Sequence, residues 1–292
     1  MKSAQPLRGG TPPENCTPAD TMVAAAAATA FIDGLPITLA SQEEVMAEID
    51  RAIAARELGK YISITNTEST YHGHRIASHG EFIRRANFSL CDGVGVIVAG
   101  WAWGYRIARF NGPILQLKCS QEGLAKGWRH FFYGGKDGVA EEMAKRLKDR
   151  FPGLVVCGLH APPFREMSVV EKAAIIEEIN RAKPDIVWVG LGLIKQERWI
   201  AENLGRVQAP WMVGVGAAFD YHAGAVPWAP AALRALGLEW LFRLIVQPKL
   251  RAKRYWWSAI YVFQSFFKGL LTGQFLRKER PGRDSSSLTG RK

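Results

Sequence analysis

PDIVWVGLGLIKQERW, residues 184–199, decides the fold. Ile186, Val187, Trp188 and Val189 form a short apolar, largely β-branched run, as a strand covered on both faces does. Gly190 and Gly192 then let the backbone turn tightly and lie close to a ligand. Lys195, Gln196 and Glu197 follow at the mouth of the next helix. Ligands of open α/β sheets bind where strands end and helices begin. The stretch therefore sets a cation, an amide and a carboxylate where a substrate would sit.

The same rhythm recurs outward from this stretch. Strands are expected at Tyr61–Thr65, Phe88–Leu90, His130–Tyr133, Leu154–Cys157 and Trp211–Val215. Between them lie helical patterns. Ser41 and Glu44 form a capping box ahead of Val45, Ile49 and Ile53, predicting a helix from Gln42 to Leu58. Val139, Met143 and Leu147 share one helical face, and Ser168 with Glu171 caps a helix bearing Ile175, Ile176 and Ile179. Strands alternating with helices give an α/β fold: a Rossmann-like, mainly parallel sheet with helices on both faces.

Composition narrows the class. The 292 residues are 48% hydrophobic, enough for one sizeable domain with appendages. The net charge of +11 points to an anionic partner: nucleic acid, a membrane surface or a phosphorylated substrate. The four cysteines are scattered without a CxxC pair, so neither a zinc site nor a disulfide framework is suggested. Residues 1–30 read as disordered. Glu14 and Asp20 precede a run of alanines with no leucine-rich core, which argues against a signal peptide. Residues 31–237 carry the α/β pattern. Residues 238–276 change character: Arg243, Lys249, Arg251, Lys253 and Arg254 adjoin an aromatic and aliphatic run from Tyr255 to Phe267. Cations beside interfacial aromatics suit a helix lying on a membrane surface, and the uncharged part is too short to span one. The alternative is a helix docked on the domain or on a second subunit. Residues 277–292 read as a disordered tail.

Polar residues gather at four strand ends: Thr65-Asn66, Asp92, Gln196 and Asp220. A parallel sheet presents its strand ends on one side, so all four can line one crevice. Asp92 precedes Gly93 and reads either as a general base or as a helix cap. Thr65-Asn66 likewise reads as site or cap. Gly134-Gly135-Lys136 forms a strand–glycine–helix turn, either an anion site or ordinary turn chemistry. No D-x-D motif occurs, so no metal held by paired aspartates and no cofactor is expected. Arginines or lysines would then neutralise a leaving diphosphate.

Four motifs carry a resemblance: Asp92-Gly-Val-Gly, Gly190-Leu-Gly-Leu-Ile-Lys-Gln-Glu197, Gly214-Val-Gly-Ala-Ala-Phe-Asp220 and Gly237-Leu-Glu-Trp-Leu-Phe-Arg243. In this order they resemble the WecG/TagA/CpsF glycosyltransferases, from about Ile32 to Tyr255. The resemblance implies an inverting, metal-independent transferase. It would move a sugar from a UDP-sugar to a polyprenyl-diphosphate-linked saccharide on the cytoplasmic face of the plasma membrane, as a peripheral protein. It implies Asp92 as the catalytic base, with Thr65 and Asn66 near the reacting sugar. Asn111 and Gly112 fall in its donor pocket. Gln196 and Asp220 would hold sugar or nucleotide. Arg243, Arg251 and Arg254 belong to an appendage that closes over the site. The resemblance leaves homo-oligomerisation open.

Departures fall at Ile194, where the family often has proline, at Trp228, and at Asn111-Gly112-Pro113 in place of Thr-Gly-Ser. The last points away from N-acetylmannosamine, so a hexose such as glucose, in exopolysaccharide synthesis, is the expected donor sugar, with N-acetylmannosamine or its uronate as the alternative. Two rivals differ in class. A nicotinamide oxidoreductase would need G-x-G-x-x-G in the first βαβ unit, which is missing. A nucleic-acid module would need a basic stripe across the fold, whereas the clearest cationic cluster adjoins an apolar run. No nucleic-acid partner is therefore expected.

Overall fold

The computed structural model describes residues 28–272. The expected disordered tail from residue 277, and the N-terminal segment up to residue 27, lie outside them. An antiparallel hairpin opens the described chain: β1 (Thr29–Ile32) and β2 (Leu35–Thr38). Its first strand starts ahead of the boundary expected at residue 31. Asp33 and Gly34 turn it with φ of 50° and 81°, the left-handed pair that a two-residue hairpin turn requires. Three further elements follow: α1 (Gln42–Ala54), β3 (Lys60–Thr65) and α2 (Thr67–Gly73). Helix α1 stops short of the expected Leu58, because Arg56 takes a left-handed φ of 52° and breaks it. Next come α3 (Ala77–Arg85), β4 (Phe88–Cys91), α4 (Val94–Ala102), α5 (Gly112–Glu122), β5 (Arg129–Gly134) and α6 (Val139–Arg150). The central units end with β6 (Val155–His160), α7 (Val169–Ala182), β7 (Ile186–Gly190), α8 (Lys195–Asn203), β8 (Trp211–Gly214) and α9 (Ala218–His222). Three helices close the chain: α10 (Ala231–Ala235), α11 (Glu239–Val246) and α12 (Pro248–Leu271).

Strands β3 to β8 form one six-stranded sheet in the order β4-β3-β8-β7-β5-β6. Every neighbouring pair runs parallel. Side-chain alternation splits the core in two. Ile186 and Trp188 face a layer with Val45 and Met143, while Val187 and Val189 face Ile175 and Ile200. Burial on both faces is why these strands read as continuous apolar runs. The chain leaves β5 outward to β6 but leaves β7 inward to β8. Their following helices diverge, and a crevice opens beyond Gly134 and Gly190.

The C-terminal helices sit over that crevice. Pro248 fits the first turn of α12, where its missing N–H is not needed, and separates α12 from α11. Helix α12 packs on α4 and α2. Its inner face recurs every three to four residues as Ser258, Tyr261, Ser265 and Gly269. The Trp103 indole donates to the Ser265 carbonyl at 3.0 Å, and the Tyr261 hydroxyl pairs with His74 Nε2 at 3.0 Å. Lys268 reaches Asp33 in the hairpin turn. The outer face leaves Trp256 and Phe263 about two-thirds exposed. The appendage is thus docked on the domain and still carries an apolar outward stripe. No helix of the described residues is long and apolar enough to cross a membrane.

A Cβ at Gly269 would lie 2.6 Å from the Trp103 ring and 2.9 Å from the Ala102 carbonyl. Gly269→Val should therefore push α12 off α4, costing about 1–3 kcal/mol as overpacking does. Hydrogen exchange should speed up in α12 while β3, β7 and β8 stay protected.

Candidate active site

A cavity of about 1370 Å³ lies at the carboxyl edge of the sheet. Asn66, Asp92, Gln196 and Asp220, from four different strand ends, all line it. Arg243, Arg251 and Arg254 line the facing wall, beside Tyr255, Val262 and Phe266 of α12. The parallel register explains the gathering. Thr65 pairs with Cys91, Val189 with Gly214 and Gly134 with Gly190, so the strands end level with one another.

Asp92 is the focus. It follows β4 directly and is not a cap, because Gly93 is the N-cap of α4 and no side chain caps that helix. Its Oδ1 is buried without a hydrogen-bond partner. Burial pushes the carboxyl up to about 6, opposed mainly by the Arg243 guanidinium and reinforced by Glu239. A carboxyl titrating there is ionised at neutral pH yet basic enough to take a proton. Asn66 is a cap that also lines the cavity. Its side chain caps α2, accepting from Glu68 N at 3.0 Å and Ser69 N at 2.9 Å, and it also favours the charged form of Asp92.

The Gly190–Glu197 turn behaves in a more layered way. Gly192 has φ of 83°, open to glycine, but Ile194 also takes a positive φ of 73°. A β-branched residue there carries strain on the order of 1–3 kcal/mol. That turn starts α8 at Lys195, which is exposed on the cavity rim, and drives Gln196 and Glu197 inward. Gln196 Nε2 donates to Glu197 Oε1 at 2.9 Å, leaving Gln196 Oε1 and Glu197 Oε2 without partners. Burial pushes the Glu197 carboxyl up to about 7. Glu197 itself lies behind Gln196 and is not among the residues lining the cavity. Asp220 is also raised by burial, against Lys136 and Arg251.

Several expected site residues fall outside the cavity wall. The Thr65 hydroxyl is fully buried and bonds Ser63 and Ser89 at 3.0 and 2.8 Å within the sheet. Asn111 is fully buried as the N-cap of α5, accepting from Ile114 N at 3.0 Å, and Gly112 packs on Val215. Only Pro113 of that segment reaches the cavity. Gly134 takes φ of 127° because a Cβ would meet the Gly190 backbone at 2.6 Å. The next amide, Gly135 N–H, donates to the Gly190 carbonyl at 3.0 Å. That amide is thus used within the sheet, while Gly135 and Lys136 line the cavity. Arg254 is engaged too, by a bidentate pair to Glu68 at 2.6 and 2.7 Å.

Arg109 and Glu239, not singled out in the sequence, complete the wall, together with Glu68 in the first turn of α2 and Lys136 of the Gly134-Gly135-Lys136 turn. Glu239 lies inside the Gly237–Arg243 motif, which was its one legible signal. Arg109 sits in an irregular segment whose partner, Glu239, is remote in the chain. Among the described residues no three His, Cys, Asp or Glu side chains group as metal ligands.

A parallel sheet, a strand-end carboxyl with raised pKa and a cationic flap are features that group transfer from an anionic substrate calls for. Residues 30–275 match the sequence profile described as the glycosyl transferase WecG/TagA/CpsF family, so the chain belongs to that family and is a glycosyltransferase. It is 25% identical over 221 residues to an N-acetylglucosaminyldiphosphoundecaprenol N-acetyl-beta-D-mannosaminyltransferase of Bacillus subtilis, covering 75% of this chain and 84% of the relative. A Staphylococcus aureus protein of the same name is 27% identical over 190 residues, covering 65% and 73%.

The raised Asp92 pKa has a stability signature. Between about pH 4 and pH 6 the folded state keeps a proton that the unfolded chain releases, so stability falls as pH rises through that window. Asp92→Asn should therefore gain about 3 kcal/mol over the parent at pH 8, with the gain gone below about pH 4. Urea titrations of both proteins at the two pH values check this. Parallel pH dependence in the two would mean that Asp92 is not a buried carboxylate.

Proposed function

We propose that the protein transfers N-acetylmannosamine from a UDP-linked donor to an N-acetylglucosaminyl-diphosphate-polyprenol, with inversion at the anomeric carbon. The observation that carries this reading is Asp92 at the floor of a cavity whose opposite wall is arginine-rich and apolar. Ionised Asp92 takes the proton of the acceptor hydroxyl as that oxygen attacks the anomeric carbon. The C–O bond to UDP breaks on the other face, and the departing diphosphate is met by cations. Arg243 and Arg251 supply charge there, and Arg254 can join them on leaving Glu68. Charge-assisted bonds in a partly dry site give this its strength. Gln196 Oε1, buried and unpartnered, accepts from a donor-sugar hydroxyl, and Asp220 with Lys136 flanks the nucleotide side.

N-acetylmannosamine replaces the expected glucose for two reasons. Both relatives carry N-acetylmannosaminyl transfer in their names. The departure at Asn111-Gly112-Pro113, which pointed to a different sugar, lies largely behind the cavity wall.

Val262, Phe263, Phe266 and Phe267 border the cavity, and the polyprenyl chain would leave along them. The outward stripe of α12, with Lys249 and Lys253 at one end, suits an anionic membrane surface. The protein would then work as a peripheral protein, taking its acceptor from the membrane.

Purified protein offered UDP-N-acetylmannosamine and UDP-glucose with an N-acetylglucosaminyl-diphosphate lipid should transfer the first. Transfer of glucose alone would overturn the sugar assignment. Asp92→Asn should lose about 10²–10⁴-fold in turnover while still binding UDP. A chain ending at Leu238 should no longer sediment with anionic vesicles; unchanged sedimentation would place lipid contact elsewhere.

A further inference from the structure

Glu239 bridges two partly buried arginines, Arg109 and Arg243, beside Asp92. Its side chain is 5% exposed. Oε2 accepts from Arg109 Nη2 at 2.5 Å, and Oε1 accepts from Arg243 Nη2. Arg109 comes from the segment after α4, and also donates to the Arg234 carbonyl at 3.1 Å. Arg243 lies one helical turn after Glu239, and its guanidinium stacks over the Tyr221 ring at 5.0 Å. At the start of α11 the backbone comes so close to α4 that a Cβ on Gly237 would meet Val94 at 2.4 Å. The bridge therefore ties the first appendage helix to the domain beside the reacting carboxyl.

Stability alone does not account for such a bridge. Two arginines and a carboxylate taken out of water gain little over apolar residues of the same volume. What the arrangement gives is position. Arg243 Nε is buried with no hydrogen-bond partner, and so is Asp92 Oδ1. A guanidinium held by Glu239 and the Tyr221 ring cannot swing onto Asp92 and pair with it outright. We propose that Glu239 is a positioning residue, which anchors Arg243 to Arg109 so that Arg243 stands beside Asp92 as a fixed cation rather than as its ion-pair partner. The inference deepens the reading of Asp92 as the base and rests on it for its catalytic meaning only.

The groups facing Asp92 are Arg243 and Glu239 of α11, Arg109 before α5, Asn66 at the start of α2, the neighbouring Cys91, and Tyr221 of α9. Glu239 opposes ionisation of Asp92, and Arg109 favours it. Opposite signs give a test that a merely structural role would not pass. In Glu239→Gln a negative charge is lost and Arg243 is freed toward Asp92. In Arg109→Gln a positive charge is lost while Glu239 still holds Arg243.

The experiment follows the Asp92 carboxyl by carbon NMR in full-length protein labelled at aspartate, with Asp92→Asn assigning the signal. The Asp92 titration should move to lower pH in Glu239→Gln and to higher pH in Arg109→Gln, and the acidic limb of kcat should follow both. Glu239→Gln should lose at least tenfold in kcat. An unmoved titration in folded variants, or movement of both in the same direction, would overturn the proposal. Should Glu239→Gln not fold, Arg109→Gln and Glu239→Asp decide it: the first must shift upward and the second must keep the parent titration. Because NMR reads the coupling directly, a protein lacking transferase activity would fail the functional reading while the titrations still decided this one.

Discussion

Everything at the site follows from six strands pointing the same way. A parallel sheet must return its chain through a crossover after each strand, and each crossover begins at the same edge. Residues far apart in sequence, Asn66, Asp92, Gln196 and Asp220, therefore meet at one edge without any special contact between them. The level register of Gly134, Gly190 and Gly214 keeps that edge open, since glycines there let neighbouring turns lie against Phe219 and Gln196. Larger residues would fill the crevice with their own side chains.

The second constraint is electrostatic. The site holds carboxylates that are partly starved of water and cations that face them. Asp92 and Glu197 are both raised by burial, yet differ in what surrounds them. Asp92 borders the cavity beside arginines. Glu197 stands behind Gln196 and orients it, leaving the amide oxygen free for a ligand. Two neighbouring polar residues thus divide into one that lines the cavity and one that holds the first in place.

The appendage does two jobs with two faces. Its inner face, built from small and hydroxyl-bearing residues, lets α12 lie close against α4, with Trp103 filling the gap. Its outer face keeps aromatic residues in solvent, at a cost the domain has no structural reason to bear. Ion pairs at both ends, Arg254 with Glu68 and Lys268 with Asp33, hold the helix in register. One of those pairs engages an arginine of the cavity wall, so docking of the helix and availability of charge are linked.

The sequence by itself determined the α/β alternation, the glycine turns and the capping boxes at Ser41 and Ser168, because each is written in residues a few positions apart. It also placed Asp92, Gln196 and Asp220 at strand ends, since strand and turn are local. It missed the β1–β2 hairpin, whose strands are only four residues long. It could not tell that Asn66 caps α2, nor that Thr65, Asn111 and Glu197 lie outside the cavity wall. Only the tertiary structure decided those, because side-chain direction at a strand end depends on which helix packs above it. The bridge from Arg109 to Glu239 spans 130 positions, and no periodicity in the chain encodes a pairing set by how α11 settles over the sheet.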